Sequence, residues 1–117
     1  GYLPLEQYWS LLYSADVLMD LTTRENCLVC GAYESVALEK PMVLSNTLAT
    51  RNYFSKGCVY ADPTKNSISS AIKLVTSNLL NYQSDISNLK IELVEKWKSY
   101  LTSCIKQIQT GYEKTIK

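Results

Sequence analysis

The run Thr22, Thr23, Arg24, Glu25, Asn26, followed by Cys27, Cys30, Gly31, Ala32 and Glu34, gathers hydroxyls, a cation, carboxylates, an amide and two thiols in one short stretch. Glu34 is the most specific of them. Its two oxygens can accept hydrogen bonds from a pair of neighbouring hydroxyls, and a ribose diol supplies such a pair. Expected near the first turn of a helix, its charge is favoured by the helix N-terminus. The same position equally suits a first-turn acid with no ligand. Gly31 permits close backbone approach, and the amides that follow could meet phosphate oxygens. Thr22, Thr23, Arg24, Glu25 and Asn26 could otherwise simply cap and solvate a loop, with Glu25 the least constrained.

The spacing of Cys27 and Cys30 in "CLVC" raises metal and redox chemistry. A zinc site takes about four ligands, yet the chain has no histidine, and Cys58 and Cys104 stand alone. A thioredoxin-type dithiol would need a preceding strand and an exposed helix start, so ordinary thiols are the expectation. Without histidine no common nucleophilic triad can be assembled. No catalytic residue, metal or cofactor is therefore assigned. Lys40, Arg51 and Lys56 could form a small basic rim or be solvated charges. Tyr8, Trp9, Tyr13, Tyr33, Tyr53 and Tyr60 are expected to pack.

The elements that must position these groups follow from periodicity. Leu5 to Ser14 places Leu5, Tyr8, Trp9, Leu12 and Tyr13 at helical spacing behind Pro4, predicting an amphipathic helix whose apolar face meets a sheet. The contiguous Val17, Leu18 and Met19 suit a buried parallel strand, as do Met42, Val43 and Leu44 after Pro41. A helix is predicted over about Gly31 to Leu38, with Ala32, Val36 and Tyr33 directed inward. Another runs from Thr47 to Phe54, capped by Ser45 or Asn46. Gly57 ends it, "CVYA" makes a strand, and "DPTKNS" turns into a helix through Ile68, Ile72, Leu74 and Val75.

From Asp85 to about Gln109, Ile86, Leu89, Leu93, Trp97, Leu101, Ile105 and Ile108 form one long helical stripe. Its spacings of four are poor for a strict coiled coil, so packing against a domain is preferred. The order predicts an α/β fold: a partial Rossmann-like open parallel sheet with flanking helices and a long C-terminal helix. Residues 1–80 form the sheet-bearing unit and residues 81–117 the helical tail.

The 117-residue chain is 46% hydrophobic, enough for one modest core. Twelve basic and eleven acidic side chains leave a formal charge of +1, which gives no field to gather nucleic acid or an anionic membrane. No apolar run approaches the ~20 residues of a membrane span, and no export signal opens the chain. A reducing, cytoplasmic setting is the expectation. The opening "GYLPLEQYW" reads as mid-pattern, as in a piece of a longer parent.

In this order, "GYLPLEQYWSLLYSADVLMDLTTREN", "GAYESVALEKPMVLS", "TLATRNYFSKGCVYAD" and "SISSAIKLV" resemble the C-terminal, donor-binding domain of two-domain, retaining GT-B glycosyltransferases. These are the group 1 type, which use nucleotide sugars. The resemblance covers residues 1 to about 76, the tail matching only by position. It implies that Glu34 is the second glutamate of the family's pair and binds the donor ribose. The first falls at Asn26, with Glu25 beside it, so the acidic contact to the transferred sugar becomes an amide or shifts its geometry. Cys30, Gly31 and Ala32 would lie near the diphosphate and sugar, and Thr22 and Thr23 match the family's polar loop.

The resemblance further implies partners outside this chain. They are a nucleotide-sugar donor in the complete parent, an N-terminal acceptor domain, and a first half of the donor domain. That half would carry a glycine-rich turn and an arginine and lysine pair to stabilise the leaving diphosphate. The chain alone is expected to be inactive. A noncatalytic interaction module using the C-terminal helix is the alternative. An independent nucleotide-binding regulatory domain is a third reading, opposed by the lack of a glycine-rich phosphate loop.

Overall fold

The computed structural model describes residues 1–116. Three short strands, β1 (Leu18–Asp20), β2 (Met42–Ser45) and β3 (Cys58–Ala61), pair in parallel in the order β1-β2-β3. Helices precede, separate and follow them: α1 (Leu5–Ser14), α2 (Cys30–Ala37), α3 (Leu48–Tyr53), α4 (Lys65–Ser77) and α5 (Leu79–Ile116). The α/β arrangement with a parallel sheet, flanking helices and a long final helix matches the sequence reading. Strand order follows chain order, so the sheet contains no reversal of direction between its strands.

β2 is buried along its whole length, and its alternating side chains feed two cores. Met42 and Leu44 join Ala32, Val36, Phe54 and Cys58 under α2, α3 and the first half of α5. Val43 faces the other way, with Ala61, Ala71 and Val75 under α4. β1 departs from expectation. It is only half-buried, Val17 falls outside it, and Met19 is exposed, because β1 pairs on one side only. α1 departs too, since none of its residues is buried.

Local capping explains where the later helices start. Thr47, not Ser45 or Asn46, caps α3, its hydroxyl accepting from the Thr50 N–H at 3.1 Å. The two expected caps are engaged elsewhere: the Ser45 hydroxyl accepts from the Thr22 N–H, and the Asn46 amide donates to Asp62. Thr64 caps α4 in the same way, bonding the Ser67 N–H at 3.2 Å. Gly57, at φ 71°, turns the chain into β3 directly beneath α5.

α5 runs for 38 residues. Ile86, Leu89 and Leu93 are buried in the same cluster as α2 and β2, and Trp97 closes that contact by donating from its indole to the Tyr53 hydroxyl at 2.6 Å. Tyr33 and Tyr53 pack edge-on against Phe54, with ring centroids 5.3 and 4.9 Å away. Beyond Trp97 the stripe continues without cover, Leu101 being 62% and Ile108 71% exposed.

The α3 to β3 junction is held at one carbonyl. The Phe54 C=O accepts from the Cys58 thiol at 3.1 Å and from the Tyr60 hydroxyl at 2.7 Å. Burial pushes the Cys58 thiol up from 9.0 to about 11, and burial also raises the Tyr60 phenol. In the unfolded chain the thiol ionises first, so stability is intact below about pH 9 and falls as pH rises towards about 11. Urea denaturation should register a loss of roughly 2 kcal/mol across that window, with a smaller slope in Cys58→Ala.

Candidate functional site

β1 ends at Asp20, whose carboxylate turns towards the start of α2 and accepts the Gly31 N–H at 2.9 Å. The residue before α2, Val29, has no side chain able to cap it, so Asp20 supplies the acceptor from the neighbouring strand. A Cβ at Gly31 would lie 2.5 Å from Asp20 Oδ2 and 2.9 Å from Asp20 Cβ. The close approach that requires glycine is therefore made by Asp20, and the amide expected to meet a phosphate is bonded within the chain.

Glu34 lies further along α2 than expected, since the first turn of that helix contains no acid. Helix-terminus stabilisation thus does not explain it, because that effect decays within the first turn. Its carboxylate Oε2 instead accepts the Tyr8 hydroxyl at 2.6 Å. This bond raises the Tyr8 phenol above its ordinary value, so the phenol stays protonated and remains the donor. Tyr8 and Leu12 of α1, Leu18 to Asp20 of β1, and Cys30, Gly31 and Glu34 of α2 line an open-mouthed cavity of about 280 Å³.

A second cavity, of about 470 Å³, opens over the carboxyl ends of all three strands. Thr22, Thr23 and Ser45 line it on one side, Asp62, Pro63 and Ile68 on the other. This is the rim where open parallel sheets bind ligands. The sequence-assigned residues are accordingly divided: Thr22 and Thr23 line the larger cavity, while Cys30, Gly31 and Glu34 line the smaller. Glu25 and Asn26 sit on an exposed turn and line neither. Ala32 is fully buried in the core, and its N–H donates to the Val29 carbonyl at 3.2 Å.

No family model matches the chain, nor does any curated protein or solved structure. The site must be read from its own chemistry.

Ligand pockets commonly span roughly 300–1,000 Å³, so the smaller cavity accommodates one ring rather than a whole nucleotide. Two carboxylates, Asp20 and Glu34, line it. They favour hydroxyl donors and disfavour phosphate, since like charges repel. Of the three candidate cations, Lys40 stands 5.0 Å from the Tyr13 ring and Lys56 pairs with Glu92. Arg51 is exposed on α3, and none of the three lines either cavity. Among the described residues no cluster of His, Cys, Asp or Glu is arranged to hold a metal, and no helix is long and apolar enough to cross a membrane.

Sequence reasoning passed over Tyr8, Asp20 and Asp62. Tyr8 had been expected only to pack, although it shares the face of Leu12 one turn on, the half-buried face that lines the smaller cavity. Asp20 carried a usable signal: an acid ending an apolar strand, followed by a helix with no capping side chain of its own.

Proposed function

We propose that the chain forms part of the donor site of a retaining GT-B glycosyltransferase, with Glu34 accepting the two hydroxyls of the donor ribose. The observation that carries this reading is the Glu34 carboxylate, which reaches a ring-sized cavity and there accepts a hydroxyl hydrogen bond from Tyr8. The bond from Tyr8 at 2.6 Å supports the reading, since a sugar hydroxyl would donate to the carboxylate in the same way. The diphosphate would lie outside the small cavity, away from Asp20 and Glu34. The transfer itself belongs to the complete parent, where a nucleotide sugar is the donor, an acceptor bound by the N-terminal domain supplies the nucleophile, and the nucleoside diphosphate leaves. The four thiols are unpaired, and a reducing cytoplasmic setting would keep them so.

Calorimetric titration with uridine, guanosine and adenosine diphosphate sugars tests the assignment. One of them should bind the chain weakly, and Glu34→Ala should weaken that binding by about tenfold to a hundredfold, the usual worth of hydrogen bonds to a charged group. The same substitution should cut transfer by the complete parent to a comparable extent. Unchanged affinity and turnover would remove the ribose role from Glu34.

A second reading rests on the uncovered stripe of α5, where Leu101, Ile105 and Ile108 are exposed. Here the chain is a noncatalytic interaction module. A partner held through that stripe, released by Leu101→Asp, together with a parent lacking transferase activity, would favour it.

A further inference from the structure

The hydroxyl that Glu34 binds belongs to the chain itself. Tyr8, a half-buried residue that lines the cavity, donates to Oε2 at 2.6 Å. The Tyr8 hydroxyl holds one acceptor site of Oε2 and lines the same cavity, so a diol hydroxyl that takes this site must displace it. We infer that Tyr8 is a built-in competitor for the Glu34 carboxylate, and that a ribose diol binds by displacing its hydroxyl.

Three further observations make this displacement feasible. None of the residues of α1 is buried, so the helix can shift without opening the core. Tyr8 and Leu12 are its half-buried contacts, and both line the cavity, so α1 forms a movable wall. No residue of β2 lines the cavity, and β1 is an edge strand with no second strand partner. The inference rests on the ribose reading of Glu34, and it adds a residue on a different element that sets how tightly any diol is held.

Tyr8→Phe removes the donor and keeps the ring. Equilibrium titration of the chain with uridine, guanosine and adenosine diphosphates, each beside its 2′,3′-dideoxy counterpart, reads the effect. Whichever ribonucleotide binds should bind Tyr8→Phe about tenfold more tightly than wild type, in line with the loss of one competing hydrogen bond to a charged group. The dideoxy counterpart should gain nothing, since it has no diol to occupy the freed oxygen.

The possible failures are separable. Equal ribonucleotide affinity in wild type and Tyr8→Phe, with Glu34→Ala still weakened, would overturn the competition and leave the ribose reading intact. Weaker binding by Tyr8→Phe would overturn it as well, making Tyr8 a contact rather than a rival. Absence of binding in wild type, Tyr8→Phe and Glu34→Ala alike would overturn both. Circular dichroism, together with hydrogen exchange of the buried β2 amides, keeps misfolding from imitating any of these results. In wild type the amides of α1 should exchange more slowly than in Tyr8→Phe.

Discussion

Gly57→Ala is expected to lower stability by about 3–5 kcal/mol, a large part of the roughly 5–15 kcal/mol that holds a domain together. Two costs coincide there. The residue sits at φ 71°, where a side chain adds about 1–2 kcal/mol of backbone strain. The new Cβ would also stand 2.5 Å from Ile86 Cβ, 2.6 Å from Ile86 Cα and 2.7 Å from Ile86 N. Main-chain atoms of α5 cannot rotate aside, so the helix itself must lift from the sheet. Because Ile86 belongs to the main core cluster, that movement opens the packing around Phe54 and Leu89. Chemical denaturation of the purified variant checks the magnitude. Gly111→Ala is the control: nothing lies within 4 Å of its Cβ position on exposed helix, and alanine there should stabilise by about 0.5–1 kcal/mol.

Gly31→Ala should cost about 2–3 kcal/mol and should damage the site as well as the fold. The added methyl meets the Asp20 carboxylate at 2.5 Å and Asp20 Cβ at 2.9 Å. Rotation relieves the first contact but breaks the Gly31 N–H bond that caps α2; the second persists in any rotamer. β1 must therefore move away from α2, which widens the cavity between Asp20 and Glu34. Against an Asp20→Ala background the same substitution should cost less, by about 1 kcal/mol, since the carboxylate is already gone. Equal costs in the two backgrounds, measured by denaturant midpoints, would show that the carboxylate is not the obstacle.

The architecture was legible because apolar runs announce themselves. "PMVLS" and "CVYA" lie between helical patterns, and contiguous apolar residues in short strands imply burial on both faces, as β2 bears out. β1 was harder. Its three apolar neighbours look like those of β2, and only the pairing, which is not local, makes one a centre and the other an edge. Caps were legible by residue type but not by position. Ser45, Asn46 and Thr47 are all competent, and the choice fell to the one not already bonded to Thr22 or Asp62.

The candidate site was legible in part. Glu34 could be singled out from its neighbours, but its placement beyond the first turn depends on α2 starting at Cys30. Its partner Tyr8 lies 26 residues away and is brought to it only where α1 meets α2 in the folded chain. The close approach at Gly31 was legible and its partner, Asp20, was not: sequence reports that a close approach is allowed and does not report what approaches. Thr22 and Thr23 reached the expected rim, yet they share it with Ser45 and Asp62 rather than with Glu34.

The length of α5 carries a consequence for how the chain opens. One continuous hydrogen-bond ladder joins a half clamped by Ile86, Leu89, Leu93 and the Trp97 to Tyr53 bond to a half with no such clamp. Helical turns propagate readily once nucleated, so the clamped half acts as the permanent nucleus for the free half. Fraying then travels inward from the far end at little free-energy cost and stops where the aromatic rings begin. A single helix thus spans two regimes of local unfolding, one close to zero and the other tied to loss of the whole fold.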